Sequence, residues 1–119
     1  MELSILIVTY NSAPLLGPLM ASLQRETAGL DAEVVVVDNA SRDDTVARLR
    51  QDHAWVRLHA SPSNLGFAAG VNQAARLARG RCLLLLNPDA LPDPGSLARG
   101  VAQLRAHADV GLLGGPLRD

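Results

Sequence analysis

Lysine is absent from this chain of 119 residues: all 11 of its cationic side chains are arginines, against 12 carboxylates, for a net charge of −1. Those arginines are scattered through predicted helices and mass into no basic patch, which argues against a nucleic-acid partner. Cysteine is reduced to Cys82 alone, so no internal disulfide forms. Together with a chain start that lacks a signal-like apolar run, this points to a reducing compartment. Long hydrophobic runs are missing too. The longest, Ile5–Val8, Val34–Val37 and Leu83–Leu86, are strand-sized, far short of the roughly 20 residues that span a bilayer. The expectation is a soluble, cytoplasmic chain, in contact with a membrane only peripherally, if at all.

What is present suits one small globular domain. Hydrophobic residues make up 48% and charged residues 19%, neither a disordered nor a fibrous composition. Short apolar runs predict strands over Leu3–Thr9, Glu33–Asp38, Trp55–Ala60, Cys82–Asn87 and Val110–Gly114. Most are continuous in Val, Ile and Leu, the mark of strands buried on both faces of a parallel sheet. The third alternates Val56 and Leu58 with Arg57 and His59, which places it nearer an edge.

Helical spacing fills the gaps. Leu15, Leu19 and Leu23 define a first helix with Pro14 in its opening turn, where proline is tolerated. Val46 and Leu49 mark a second, predicted to begin at Ser41 with Asp43 and Asp44 at its positive end. Val71, Ala74, Ala75 and Ala78 give a third with a small-residue face, closed by Gly80, and Leu97, Val101, Leu104 and Ala108 a fourth. Strict alternation of strand and helix predicts an α/β fold: a doubly wound, mostly parallel sheet with helices on both faces.

In such a sheet, ligands bind beyond the carboxyl ends of the strands. The residues found there are Thr9-Tyr10-Asn11-Ser12, Asp38-Asn39-Ala40-Ser41, the stretch from Ser61 through Asn64 and Gly66 to Gly70, and Asn87-Pro88-Asp89. Polar, acidic and glycine residues converge on one rim, fed by almost purely apolar strands. The rim carries no G-x-G-x-x-G dinucleotide fingerprint, no P-loop and no G-x-S-x-G nucleophile elbow. His53, His59 and His107 lack metal-ligand spacing. Carboxylate and amide chemistry remains: Asp89 is suited to hold a hard divalent ion through oxygen, and Asp38 to accept hydrogen bonds from a base or ribose.

Four segments, Ser4 to Asn11, Val35 to Ser41, Asn64 to Asn72 and Leu85 to Asp89, resemble in order and spacing the consecutive motifs of family 2 glycosyltransferases, most nearly a rhamnosyltransferase-like branch. The resemblance covers nearly the whole chain and implies the GT-A fold, as the half that binds a nucleoside diphosphate sugar. By that likeness Thr9, Tyr10 and Asn11 line the nucleobase pocket and Asp38 bonds the base. Asn64, Gly66 and Gly70 belong to a loop over the nucleoside. Asn87 and Asp89 stand as the two ends of a D-x-D-like motif whose first residue faces the ribose or sugar and whose last binds Mn²⁺ or Mg²⁺. An asparagine at position 87 leaves Asp89 the only motif carboxylate for the ion.

The activity implied is inverting, metal-dependent transfer from a UDP- or dTDP-sugar to a glycan or lipid-linked acceptor, as in cell-wall or polysaccharide synthesis. By the same likeness the catalytic base is expected downstream of Asp119, and neither Asp93 nor Asp109 matches it. The chain therefore reads as a truncated donor half. Its unfinished sheet edge at Val110–Gly114 is a candidate for pairing with another copy.

Plainer roles compete at several positions. Gly70 serves as readily for close helix–sheet packing, and Asp89 as a turn former beside Pro88. Asp38 also suits a cap into the second helix. Trp55 reads as a packing residue at a strand start, Phe67 as a core anchor, and Arg76, Arg79 and Arg81 as a solvated face. Two alternatives of other classes stand beside the transferase: a non-catalytic nucleotide-sugar-binding or interaction module, and a receiver-like domain. The last requires an acidic pair after the first strand, where this chain has Thr9 to Ser12. The decisive geometric expectation is that Tyr10, Asp38 and Asp89 enclose a single pocket.

Overall fold

The computed structural model describes residues 1–106 and 117–118. Its main sheet has four parallel strands in the order β3-β2-β1-β4, namely β1 (Leu3–Thr9), β2 (Ala32–Asp38), β3 (Arg57–Ala60) and β4 (Cys82–Leu85). The helices between and after them are α1 (Ala13–Thr27), α2 (Thr45–Asp52), α3 (Phe67–Leu77) and α4 (Ser96–Ala106). Two further short strands, β5 (Leu91–Pro92) and β6 (Leu117–Arg118), pair antiparallel beside the sheet. Neither was expected from the sequence, because a two-residue strand leaves no periodicity to read.

The pleat divides the apolar runs between two faces. Ile5 and Ile7 of β1 and Val34 and Val36 of β2 pack with Leu16, Leu19, Met20 and Leu23 of α1, Leu49 of α2, and Leu97 and Val101 of α4. Leu6, Val35 and Val37 turn to the opposite face and meet Ala74 of α3. Helices thus cover both faces, as the continuous apolar strands predict.

The small-residue face of α3 lets it lie close on the sheet. A Cβ at Gly70 would stand 2.8 Å from Val8 Cγ1, and one at Gly80 would stand 2.6 Å from backbone atoms of Leu3 and Ser4.

Three expectations need correction. β3 is an edge strand as predicted, but it starts at Arg57, and Trp55 lies exposed in the turn before it. α2 starts at Thr45, not Ser41, because Ser41 and Asp43 spend their side chains on neighbouring loops. β4 is only half-buried, since it pairs with β1 alone among the described residues. The predicted strand Val110–Gly114 lies outside the described residues, as do His107, Ala108, Asp109 and Asp119, the residue beyond which the catalytic base was expected. No helix among the described residues is long and apolar enough to cross a membrane.

Candidate functional site

The strand order changes direction at β1: β2 and β3 lie on one side of it and β4 on the other. A crevice opens at such a switch point because the connections leave in opposite directions. Here it is a cavity of about 330 Å³, lined by Val8, Tyr10, Ser12, Leu15, Phe67, Asn87, Pro88 and Asp89. The loops after β1 and β4 and the first residue of α3 therefore meet around one space. Tyr10, Asn87 and Asp89 are brought together. Asp38 is not.

Asp38 is 0% exposed. Its Oδ1 accepts hydrogen bonds from Thr9 Oγ1 at 2.7 Å and Ser41 Oγ at 2.5 Å, and its Oδ2 accepts from Ser41 N–H at 2.9 Å. Register explains the first contact, since Thr9 and Asp38 are directly paired on β1 and β2. With three donors satisfying its carboxylate, Asp38 fastens the β1 and β2 ends of the rim together. Thr9 shares that interior position and is likewise 0% exposed. Of the three residues expected to enclose one pocket, Tyr10 and Asp89 line this cavity, and Asp38 lies buried beneath the rim.

Asn11 is also a brace. Its N–H donates to Ser41 Oγ at 2.8 Å, and its Oδ1 accepts from the N–H groups of Arg42 (2.8 Å) and Asp43 (3.3 Å). This conformation needs a positive φ of 49° at Asn11, which asparagine tolerates better than most residues. Ala40, at φ 59°, has no such excuse and holds the loop after β2 in a strained turn.

Asp43 completes the join, accepting from Ala13 N–H at the start of α1 and from both the N–H and hydroxyl of Thr45. Burial pulls its carboxyl upward, but the bonds from Thr45 and Ala13 and the charge of Arg48 outweigh that and hold it below its ordinary range.

The loop into α3 is set by a second group of bonds. Asn39 Nδ2–H donates to Gly66 O at 2.9 Å, and Gly66 N–H donates to Asn64 Oδ1 at 2.9 Å. Gly66 sits at φ 92°, ψ 171°, a region open essentially to glycine. Asn64 and Gly66 line neither this cavity nor the one behind it. They aim the start of α3, and Phe67, expected in the core, instead stands 53% exposed at the cavity mouth.

On the other side of this turn lies a second cavity of about 250 Å³, bounded by Asn39, His59, Ser61, Leu65, Gly70 and Arg76 among others. Gly70 therefore borders the second cavity while its main part is the close approach to Val8. Asn39, Ser12 and Phe67 are the rim residues that the strand-end reading left unassigned. All three stand in the segments that follow the strands, but Phe67 was read as a core anchor.

Asn87 and Asp89 are exposed, and the carboxylate of Asp89 makes no hydrogen bond or ion pair among the described residues. No cluster of three or more His, Cys, Asp or Glu side chains capable of holding a metal occurs among the described residues. An ion at Asp89 would accordingly need oxygen ligands from a bound molecule or water to fill its shell.

Comparison with known proteins bears on the family and the fold. Residues 4–118 match the family model described as glycosyl transferase family 2. Validoxylamine A glucosyltransferase of Streptomyces hygroscopicus is 38% identical over 111 residues, covering 89% of this chain and 25% of that protein. Among solved structures, S. aureus TarS 1-349 in complex with UDP-GlcNAc superposes with a TM-score of 0.79 at 28% identity, over 91% of this chain and 32% of that one. The mannosyltransferase PcManGT of Pyrobaculum calidifontis, in complex with GDP-Man and Mn²⁺, gives a TM-score of 0.74 at 33% identity, over 87% of this chain and 32% of that one. The chain spans between 12% and 45% of the length of the curated relatives it matches. Its parallel sheet with helices is that of GT-A glycosyltransferases, and the chain belongs to glycosyltransferase family 2.

Proposed function

We propose that this chain forms the donor half of an inverting, metal-dependent glycosyltransferase, taking the sugar from a nucleoside diphosphate to a hydroxyl of a glycan or lipid-linked acceptor. One observation carries the reading: Tyr10, Asn87 and Asp89 surround a single cavity at the switch point of the sheet, with the carboxylate of Asp89 unengaged among the described residues. TarS and PcManGT, which share the fold, are described in complex with UDP-GlcNAc and with GDP-Man and Mn²⁺. Motif likeness favours UDP or dTDP as carrier and a hexosyl or rhamnosyl group as cargo.

The chemistry fits the residues. Expulsion of a diphosphate builds negative charge on the leaving oxygen. Among the described residues, the cavity lining holds no lysine, arginine or histidine to meet it. Asp89, with the amide oxygen of Asn87, would hold Mn²⁺ or Mg²⁺, which supplies Lewis-acid stabilisation of that charge when bound. Tyr10 and Ser12 bound the nucleoside side of the same space. Asp38, Asn11 and Asp43 keep the β1 and β2 loops in register so that Tyr10 stays at the mouth.

The test is thermal: UDP or dTDP with Mn²⁺ raises the melting temperature, as any ligand specific to the native state must. Asp89→Ala removes the Mn²⁺ dependence of that shift. No shift with any nucleoside diphosphate overturns the proposal, and an unchanged metal response in Asp89→Ala moves the ion elsewhere.

A further inference from the structure

The lining of the switch-point cavity is mixed in its chemistry: Asn87 and Asp89 are polar, whereas Val8, Tyr10, Leu15 and Phe67 are apolar or aromatic, and Tyr10 and Phe67 are two of the three aromatic residues of the entire chain. Tyr10 is 46% exposed and Phe67 53%. Large rings left this open to water forgo the stabilisation that burial supplies, about 25 cal/mol per Å² of apolar surface. Phe67 is turned outward instead by backbone geometry: Gly66 at φ 92° is pinned by Asn39 on one side and Asn64 on the other.

From this we infer that Phe67 is a binding residue for the flat, apolar ring of the donor's nucleobase, acting with Tyr10, and that it fixes which way the donor lies. The base rests against Phe67 and Tyr10, and the diphosphate extends toward Asp89. The reverse orientation would place a dianion against rings and an aliphatic side chain. The inference rests on the donor reading above and deepens it by naming the group that recognises the base.

Ring stacking is recognisable by what it ignores. Replacing an aromatic platform costs roughly tenfold or more in affinity per stacked base, yet leaves a ligand without a base untouched. The experiment compares UDP with inorganic pyrophosphate, each with Mn²⁺, by calorimetry on the wild-type chain and on Phe67→Leu and Phe67→Tyr. The expected result is UDP binding weakened about tenfold in Phe67→Leu, near wild type in Phe67→Tyr, and pyrophosphate binding equal in all three. Equal UDP affinity in Phe67→Leu, or a parallel loss for pyrophosphate, overturns the role of Phe67 while leaving the donor reading intact. Failure of the wild-type chain to bind UDP overturns both. Because Phe67 is more than half exposed, the melting temperature of each unliganded variant should match wild type, and a drop of several degrees also counts against the proposal.

Discussion

Asp38 accepts three hydrogen bonds in an interior that admits no water to replace them. Truncation to alanine leaves the donors of Thr9 and Ser41 stranded, at about 1–3 kcal/mol for each buried group left unpaired. We expect Asp38→Ala to lose about 3 kcal/mol of unfolding free energy in urea titration. An unchanged denaturation midpoint with abolished nucleotide binding would return Asp38 to the ligand.

At this scale the sequence was partly legible. Tyr10, Asn87 and Asp89 follow strands and are where the strand-end rule puts them. Asp38 follows one too, and nothing in the letters separates a carboxylate turned up from one turned in. That choice is made by the direct pairing of Thr9 with Asp38 and by the positive φ at Ala40. Phe67 was misread for a similar reason. An apolar residue at a helix start normally packs inward, and the glycine geometry before it overrides the habit.

Among elements, α1 and α3 carry glycines of opposite meaning. Gly17 lies exposed within α1, and a Cβ there meets nothing within 4 Å. Gly17→Ala should stabilise the chain by about 0.5–1 kcal/mol, by restricting the unfolded state and raising helix propensity. Gly70→Ala should do the reverse, by about 1–3 kcal/mol, since its methyl would press on Val8 Cγ1 at 2.8 Å and Asn39 Nδ2 at 3.2 Å. It should also weaken nucleotide binding, because Asn39 is the side chain that holds Gly66. Equal melting temperatures for the two variants would show that α3 is free to ride away from the sheet. The helix periods revealed that both elements exist and which face each buries. They did not reveal how closely each approaches, which depends on the side chains opposite.

For the molecule as a whole, parallel strands gather the amino ends on one side, and Glu33 is the charged hub there. It accepts from Ser4 Oγ at 2.6 Å and Arg79 N–H at 2.6 Å, and it pairs with Arg57. Burial raises its carboxyl, but these partners prevail and hold it below its ordinary value of 4.5. A group whose folded pKa lies below its unfolded one stabilises above the unfolded value and loses that contribution as pH falls through the folded one. Stability should therefore be level near neutrality and decline below about pH 4.5. Glu33→Gln should be less stable at neutral pH and converge on wild type in acid. Parallel acid limbs for the two proteins would remove Glu33 from the account. The sheet itself was legible at this scale from its continuous Val, Ile and Leu runs. The two-residue pairing of β5 with β6 was not, because it is made by chain proximity and not by pattern.

That common strand direction also has a practical side. With β1 seven residues long and a rise of about 3.3 Å per residue, its two ends stand roughly 20 Å apart. Met1, Arg81 and the single thiol at Cys82 all lie by the starting end. A surface tether or dye attached at Arg81, which is exposed, would hold or report on the chain while the opposite rim stays open to whatever is offered to it.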